Sequence, residues 1–480
     1  MFKRLICAAA GAAVLTTAAA APIDLPQMGE PADLALSPAE EARIGSQIVH
    51  ELYRADDVIQ DAEVSQYLTS VGWKLAAAGG SNPPPFHFYL IRDPRINAFA
   101  LPGAHIGVNA GTIVTTTEES ELAAVMAHEE AHVTQRHIAR SINDTQAADI
   151  ATWAAVIAAI IAGSANPNVV MGALALGQGV NYNRAISYTR ANEMEADRIG
   201  IRTLAAAGFN PNSMADFFAR LEQQTRLYGA GLPEILQTHP VNTTRIAEAS
   251  ERAAEYPKRA YPSSLDYLYM RARTVVLISD LPGSAADFFR SRIAGDTAAQ
   301  ANHYGYALAL AQMGRYPQAL DALAPVLAIQ PRPVYASLLQ ADILMNSGRQ
   351  PDALAIYGRT LNAFPNYPPA IYENAQALID AGKGEAARQV LLSHLQALGN
   401  NLETYRLLAQ AASAVGNMPE AQFQTANYLF EQGDVRGAVE QLDAGLRLSS
   451  LSPDDRARLL ARRREIIATL PRGELPVDRS

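Results

Sequence analysis

Four glycines recur at a fixed spacing in the C-terminal half of the chain: Gly314, Gly348, Gly382 and Gly416 stand 34 residues apart. Ala319, Ala353, Ala387 and Ala421 keep the same period, always five residues after the glycine. Such a period commits a chain to stacked supersecondary units, because one unit cannot bury its apolar face alone. The spacing accommodates two helices and their turns, and Pro331 and Pro365 close two of the units.

This pattern resembles the tetratricopeptide repeat, in which a small residue lets the two helices of a unit approach. Gly433 and Ala438 repeat the five-residue offset at half the period, and Ala285 falls in register ahead of the clear units. An α-solenoid that folds back on the preceding half is expected. Its last helix begins at Ser452, Pro453, Asp454 and Asp455, a good N-cap sequence. Arg456, Arg458, Arg462, Arg463 and Arg464 on that helix read as the solvated face of a capping element.

A length of 480 residues exceeds one core and allows two or three domains. The net charge of -9 gives no electrostatic footprint for nucleic-acid binding. Lys3 and Arg4 precede a short apolar run at 5–16, and Ala18 to Ala21 offer small-residue cleavage sites. These features read as a secretory signal peptide at 1–20, and a bacterial export signal of this kind leads to the periplasm. Cys7, the one cysteine, lies inside that leader, so the remainder offers no thiol for a disulfide or a metal.

Ser37, Pro38 and Glu40 form a capping box and predict a helix to about residue 53. A second helix is expected over 58–78, then a strand over 86–92 and extended segments at 96–101 and 105–109. Thr117 can cap a helix running to about residue 140, and another is expected over 188–206, stopped at Gly208. The stretch 151–182 is strongly apolar but interrupted, so neither half reaches the ~20 residues of a bilayer span. It reads either as a buried or lid-like hairpin or as a peripheral membrane contact.

His128, Glu129, Glu130, Ala131 and His132 form an H-E-x-x-H motif inside the 117–140 helix. Residues four apart share a helix face, so both imidazoles can bind one tetrahedral zinc. Glu129 is then placed to take a proton from the water that such a metal acidifies, and to return it to the leaving amine. Glu130 comes one position too late for that task and reads as structural. Leu122, Ala123, Val125, Met126 and Ala127 make the helix apolar ahead of the motif, and a buried His pair beside Glu is costly to desolvate without a metal. Glu193 is the candidate third ligand, and Asp197, four residues on, can accept a hydrogen bond from the outer nitrogen of a ligand imidazole. Glu195 reads as an ordinary acidic helix face. His137 falls about 180° round the same helix from His128 and reads as lying outside the site.

The H-E-x-x-H motif, together with Glu193-Met194-Glu195-Ala196-Asp197, resembles the HtpX/Ste-type gluzincin metallopeptidases. Residues 96–103 and 106–111 match the stretch that precedes the motif in that family, and His239-Pro240 with Arg245-Ile246 matches a further element. The resemblance covers roughly 37–255. It implies an α+β zincin-type metallopeptidase domain over 21–258, mainly helical, with a small sheet whose edge strand binds substrate. An all-α repeat solenoid over 259–470 follows. The metal would be one zinc ion per chain, held by His128, His132 and Glu193. The resemblance gives Arg245 a role at the oxyanion, and gives His239 the reach to bind the metal and hold the site inactive. The spanning helices of HtpX-type members have no counterpart here, which implies a soluble member. The implied substrates are misfolded or stalled envelope proteins, with the outer-membrane assembly machinery as a partner. A rival reading is a chaperone or scaffold that holds envelope clients on its repeats, with the peptidase mostly silent. The intact set of His128, Glu129, His132 and Glu193 argues against a dead enzyme.

Overall fold

The computed structural model describes residues 36–80, 82–144, 189–228, 234–293, 299–449 and 451–469. The leader read at 1–20 and the apolar stretch at 151–182 lie outside them. Helix α1 (Pro38–Arg54) opens on a closed capping box: Glu40 N donates to Ser37 Oγ at 3.3 Å, and Ser37 N donates to Glu40 Oε2 at 3.0 Å. Helix α2 (Ala62–Gly79) starts later than residue 58 because Asp61 caps it, accepting from Val64 N at 3.0 Å. Val58 is drawn instead into a bridge with Ile91.

Strands β1 (His87–Ile91), β2 (Ala98–Leu101) and β3 (His105–Asn109) form a sheet of order β1-β3-β2, with β1 parallel and β2 antiparallel to β3. β2 is therefore an edge. Helix α2 lies close on the sheet: a Cβ at Gly72 would fall 2.0 Å from the Phe88 ring. Among the described residues this half also holds helices α3 (Ala110–Thr115), α4 (Glu119–Thr134), α5 (His137–Asp144), α6 (Arg190–Ala207), α7 (Ser213–Tyr228), α8 (Glu234–Thr238) and α9 (Thr243–Ala253). α4 is buried at every residue from Ser120 to His132, because α2, α6, α7 and the sheet all pack on it.

The repeat half runs α10 (Leu265–Leu277), α11 (Pro282–Arg290), α12 (Ala299–Gln312), α13 (Tyr316–Leu327), α14 (Val334–Asn346), α15 (Gln350–Ala363), α16 (Pro368–Asp380) and α17 (Gly384–Ser393). It continues with α18 (Leu395–Leu398), α19 (Leu402–Ala414), α20 (Met418–Glu431), α21 (Val435–Leu446) and α22 (Pro453–Ala468). The periodic glycines serve a different end from the one the spacing suggested. Gly314, Gly348, Gly382 and Gly416 have φ between +69° and +81°, and a Cβ on any of them would meet nothing within 4 Å. They end the first helix of each hairpin in a left-handed turn that L-residues rarely adopt. Close approach falls to the periodic alanines: Ala319, Ala353 and Ala387 are fully buried. On α22 Arg456 and Arg464 are exposed, as expected of a solvated face, while Arg463 pairs with Asp443 at 2.7 Å and Arg458 with Glu420, and Leu459 and Ile466 close the last core.

Among the described residues the repeat array touches the first half at three places. Along α10 the Tyr267 hydroxyl donates to Thr116 O at 2.8 Å, and Arg271 donates from Nε to Thr116 O at 3.0 Å and from Nη2 to Val114 O at 2.8 Å. Gly433, in the turn between α20 and α21, sits so near α1 that a Cβ would fall 2.3 Å from that of His50. At the other end the start of α2 enters the repeats. Arg273 of α10 donates from Nε to both oxygens of Asp61, at 2.9 and 2.8 Å, and pairs through Nη1 with Glu63 and with the Tyr304 hydroxyl. Asp342 of α14 and Glu373 of α16 add negative charge to the same region.

One guanidinium serves more carboxyls than it can neutralise. Burial, with Asp61 and Asp342 acting in the same direction and Arg273 against it, pushes the Glu63 carboxyl from its ordinary 4.5 up to about 8. Burial likewise raises Asp342 and Glu373. Between pH 4.5 and about 8 the folded chain thus holds a proton on Glu63 that the unfolded chain releases. The stability this supplies is complete below the unfolded value and is lost as pH rises through the folded one. One such group contributes a slope of at most about 1.4 kcal/mol per pH unit. The urea midpoint is expected to fall as pH rises across that window, and Glu63→Gln is expected to flatten the dependence. An identical slope in the variant would show that Glu63 does not carry it.

Candidate metal centre

The centre is built on α4 because that helix is enclosed on all sides and places His128 and His132 one turn apart. Their Nε2 atoms lie 3.0 Å from each other. Helix α6 delivers Glu193 from its first turn, where Thr189 caps the helix by accepting from Asn192 N at 3.2 Å. Gly200, further along α6, permits the approach: a Cβ there would fall 2.8 Å from the Met214 side chain and 3.4 Å from His128 N. Glu193 Oε2 lies 3.5 Å from His128 Nε2, and its Oε1 lies 3.4 Å from His132 Nε2. His239, just beyond α8, completes the group, with Nδ1 3.0 Å from Glu193 Oε1 and 3.3 Å from His128 Nε2. All four residues are buried, and one donor atom from each falls within 4.8 Å of the others.

The electrostatics suit a divalent cation. Burial resists ionisation of Glu193, but His239, His128 and His132 hold its carboxyl well below the ordinary range. Burial keeps the His132 imidazole well below its usual value and therefore neutral, as a ligand must be. For His128 burial acts the same way, yet Asp197 and Glu193 outweigh it and lift the imidazole to about 10. A metal ion would take over that charge balance and displace the proton. Imidazole nitrogens with a carboxylate oxygen are the donor set of zinc and similar borderline ions.

Around the donors, Asp197 Oδ1 lies 3.0 Å from His128 Nδ1. Glu129 Oε1 is 3.5 Å from His239 Nε2, and burial raises the Glu129 carboxyl above its ordinary value, against the pull of His239 and His128. Beside Glu129, His128 and His239 opens an apolar recess lined by Ala124, Val125, Met214, Phe217, Phe218 and Ile235.

Arg245 faces the two acids of α6. It donates from Nε to Asp197 Oδ2 at 2.7 Å, from Nη2 to Asp197 Oδ1 at 2.8 Å and from Nη1 to Pro240 O at 2.8 Å, and Nη1 is 2.7 Å from Glu193 Oε2. Its donors are spent on the two carboxylates and a carbonyl, so it braces the acids from behind. Glu130 is buried, and burial alone drives its carboxyl well above the usual range; it faces none of the four donors within ion-pair distance.

Two readings from spacing fail here. The helix of the motif does not reach residue 140: it ends at Thr134, and Arg136 takes a left-handed φ of +51°. That turn brings His137 back onto the site, with Nδ1 2.8 Å from His132 Nδ1. Glu195 is not an idle acidic face either: it accepts from His137 Nε2 at 3.2 Å and from Arg140 Nη1 at 3.1 Å. No residue type near Arg136 signals the break, since positive φ outside glycine is uncommon.

Residues 62–253 match the model of peptidase family M48, and residues 344–410 match a tetratricopeptide-repeat model. The chain is 33% identical over 444 residues to the beta-barrel assembly-enhancing protease of Yersinia pestis, covering 91% of this chain and 90% of that one. Its counterpart in Escherichia coli K12 is 32% identical over 447 residues, with the same coverage. The mitochondrial metalloendopeptidase OMA1 of Schizosaccharomyces pombe is 30% identical over 185 residues, 38% of this chain and 52% of that one. With a buried His, His, Glu and His cluster in the matched region and near end-to-end similarity to such proteases, the chain belongs to peptidase family M48, as a metallopeptidase that carries tetratricopeptide repeats.

Proposed function

We propose that the chain is a zinc endopeptidase of the periplasm that cleaves misfolded or stalled envelope proteins, outer-membrane β-barrel proteins and their assembly machinery among them. The observation that carries the reading is the convergence of His128, His132, Glu193 and His239 in one buried cluster beside Glu129. His128, His132 and Glu193 hold the metal, with Asp197 and Arg245 fixing His128 and Glu193 in place. Bound zinc would supply Lewis acidity, polarising the scissile carbonyl and acidifying a water. Glu129 takes the proton of the attacking water and passes it to the leaving amine. The substrate lies extended along β2, an edge strand that can pair with a peptide main chain.

The division into a peptidase unit at 21–258 and a repeat unit at 259–470 belongs to the same proposal, with the repeats selecting clients. The location is supported by the leader read at 1–20 and by the name of the near-full-length relatives, which speaks of β-barrel assembly. Among the described residues no helix is long and apolar enough to cross a membrane. Metal analysis tests the core of the reading. The purified chain is expected to hold about one zinc, and His128→Ala, His132→Ala and Glu193→Ala are each expected to empty the site. Full zinc content in Glu193→Ala would refute the ligand assignment.

His239 gives the site a resting state. Its imidazole stands among the metal donors and beside Glu129, where it can fill the position that water needs. His239→Ala is expected to raise proteolysis of a casein substrate, and self-cleavage, at unchanged zinc content. A fall by a factor on the order of 10² would instead assign His239 to transition-state stabilisation.

A further inference from the structure

We infer that His137 is a positioning residue of the peptidase centre, orienting His132 through an Nδ1–Nδ1 hydrogen bond and held in turn by Glu195 and Arg140. The inference rests on the reading of His132 as a metal ligand. His132 turns its Nε2 to His128 Nε2 and Glu193 Oε1, so Nε2 is the donor atom and Nδ1 carries the proton of the neutral ring. That proton needs an acceptor in a buried place, and His137 Nδ1 lies 2.8 Å away. Accepting there fixes the His137 proton on Nε2, which faces Glu195 Oε2 at 3.2 Å, and Arg140 Nη1 holds the same oxygen at 3.1 Å. In this assignment each link pairs one donor with one acceptor.

The backbone is shaped to allow it. Arg136 Nη2 donates to Leu36 O at 2.6 Å, and the guanidinium lies 3.5 Å from Glu41, which ties the left-handed turn to the start of α1. Continued as a helix, the chain would have carried His137 round to the far face. The His137 side chain is fully buried against His132, with ring centroids 4.8 Å apart. The two ligand imidazoles are thus held differently. Asp197 Oδ1 stands directly against His128, 3.0 Å from Nδ1, whereas His132 is held through a neutral ring backed by a carboxylate. Both carboxylates stand on α6, two residues apart and flanking Ala196, with Glu193 itself one half-turn earlier.

The test uses full-length protein and measures zinc affinity by competition with a chromophoric chelator, with the visible spectrum of the cobalt(II)-substituted protein as a second readout. His137→Phe fills the volume without an acceptor and is expected to lower zinc affinity by about 10- to 100-fold and to shift the cobalt bands. His137→Gln restores an acceptor and a donor and is expected to recover most of the loss. Glu195→Ala, at a partly exposed position that tolerates change, is expected to weaken binding in the same direction by a smaller factor. Wild-type affinity and an unshifted cobalt spectrum in His137→Phe, equal losses in the Phe and Gln variants, or unchanged affinity in Glu195→Ala would each overturn the inference. His132→Ala separates the two levels: wild-type zinc binding in that variant would sink the ligand assignment itself, whatever His137 does.

Discussion

Glu129→Gln is expected to lower turnover of a peptide substrate by about 10²- to 10⁴-fold while zinc content stays unchanged. Glu129 is buried to 1% exposure on the enclosed face of α4, where burial raises its carboxyl above the ordinary value. A carboxylate in that setting is a better proton acceptor than one in water, which is what transfer from an acidified water requires. Glutamine keeps the volume and one hydrogen-bonding oxygen but cannot take the proton. The fold should not suffer, because replacing a buried carboxyl by a neutral amide removes a desolvation cost. Turnover at the wild-type rate would exclude Glu129 as the base. Loss of zinc in the same variant would make it a ligand instead. The variant also separates cleavage from holding: client rescue that persists without turnover would assign the repeats a chaperone role of their own.

The metal site was legible because helical geometry converts spacing into position. His128 and His132, four apart, could only share a face, and Glu193 and Asp197 repeat the device on a second helix. What escaped was whatever depended on where a helix stops. His137 looked remote only because the helix was extended through Arg136, whose left-handed turn is imposed by contacts with Leu36 and Glu41, some 100 residues away in sequence. Glu195 followed the same error, since its partner was missing. Arg245 shows a different limit. Sequence places a cation near the site, but only the structure shows its donors turned toward Asp197 and Glu193.

The repeats divide in the same manner. Their period fixed the hairpin architecture, while the reason for each glycine is conformational and each alanine's is steric, which sequence alone does not distinguish. That the solenoid folds back on the first half was an expectation of the sequence, but the contacts that join the two were not legible. The ionisable groups that meet there, Asp61 and Glu63 on one side and Arg273, Asp342 and Glu373 on the other, are more than 200 residues apart in sequence and follow no period. One hydrophobic cluster also runs across the junction, including Val64 and Leu68 of α2 together with Tyr304 and Ile343 of the repeat half. The helix that backs α4 therefore belongs structurally to both halves.

Removing the cation at that junction is expected to be the most destabilising single change outside the metal centre. Arg273 is 13% exposed, makes a paired contact with Asp61, and reaches Glu63 and the Tyr304 hydroxyl. Arg273→Met keeps much of the apolar stem but leaves Asp61 in a dry site without a counter-charge and takes away the partner of Glu63. Breaking a buried pair in this way costs about 3–5 kcal/mol, because a charge is left uncompensated. That is a large share of the ~5–15 kcal/mol that separates folded from unfolded states. Asp61 also caps α2, so its displacement loosens the helix that packs on α4 and α6. Equilibrium urea unfolding of the full chain at neutral pH is expected to show the loss as a lower midpoint. Glu63 holds a proton at that pH, so the uncompensated charge in the variant falls mainly on Asp61. Adding Asp61→Asn, which keeps a side-chain oxygen for the cap, is therefore expected to recover more stability than adding Glu63→Gln, a non-additivity that reports direct contact. An Arg273→Met chain that unfolds at the wild-type midpoint would show that Arg273 does not hold the junction together.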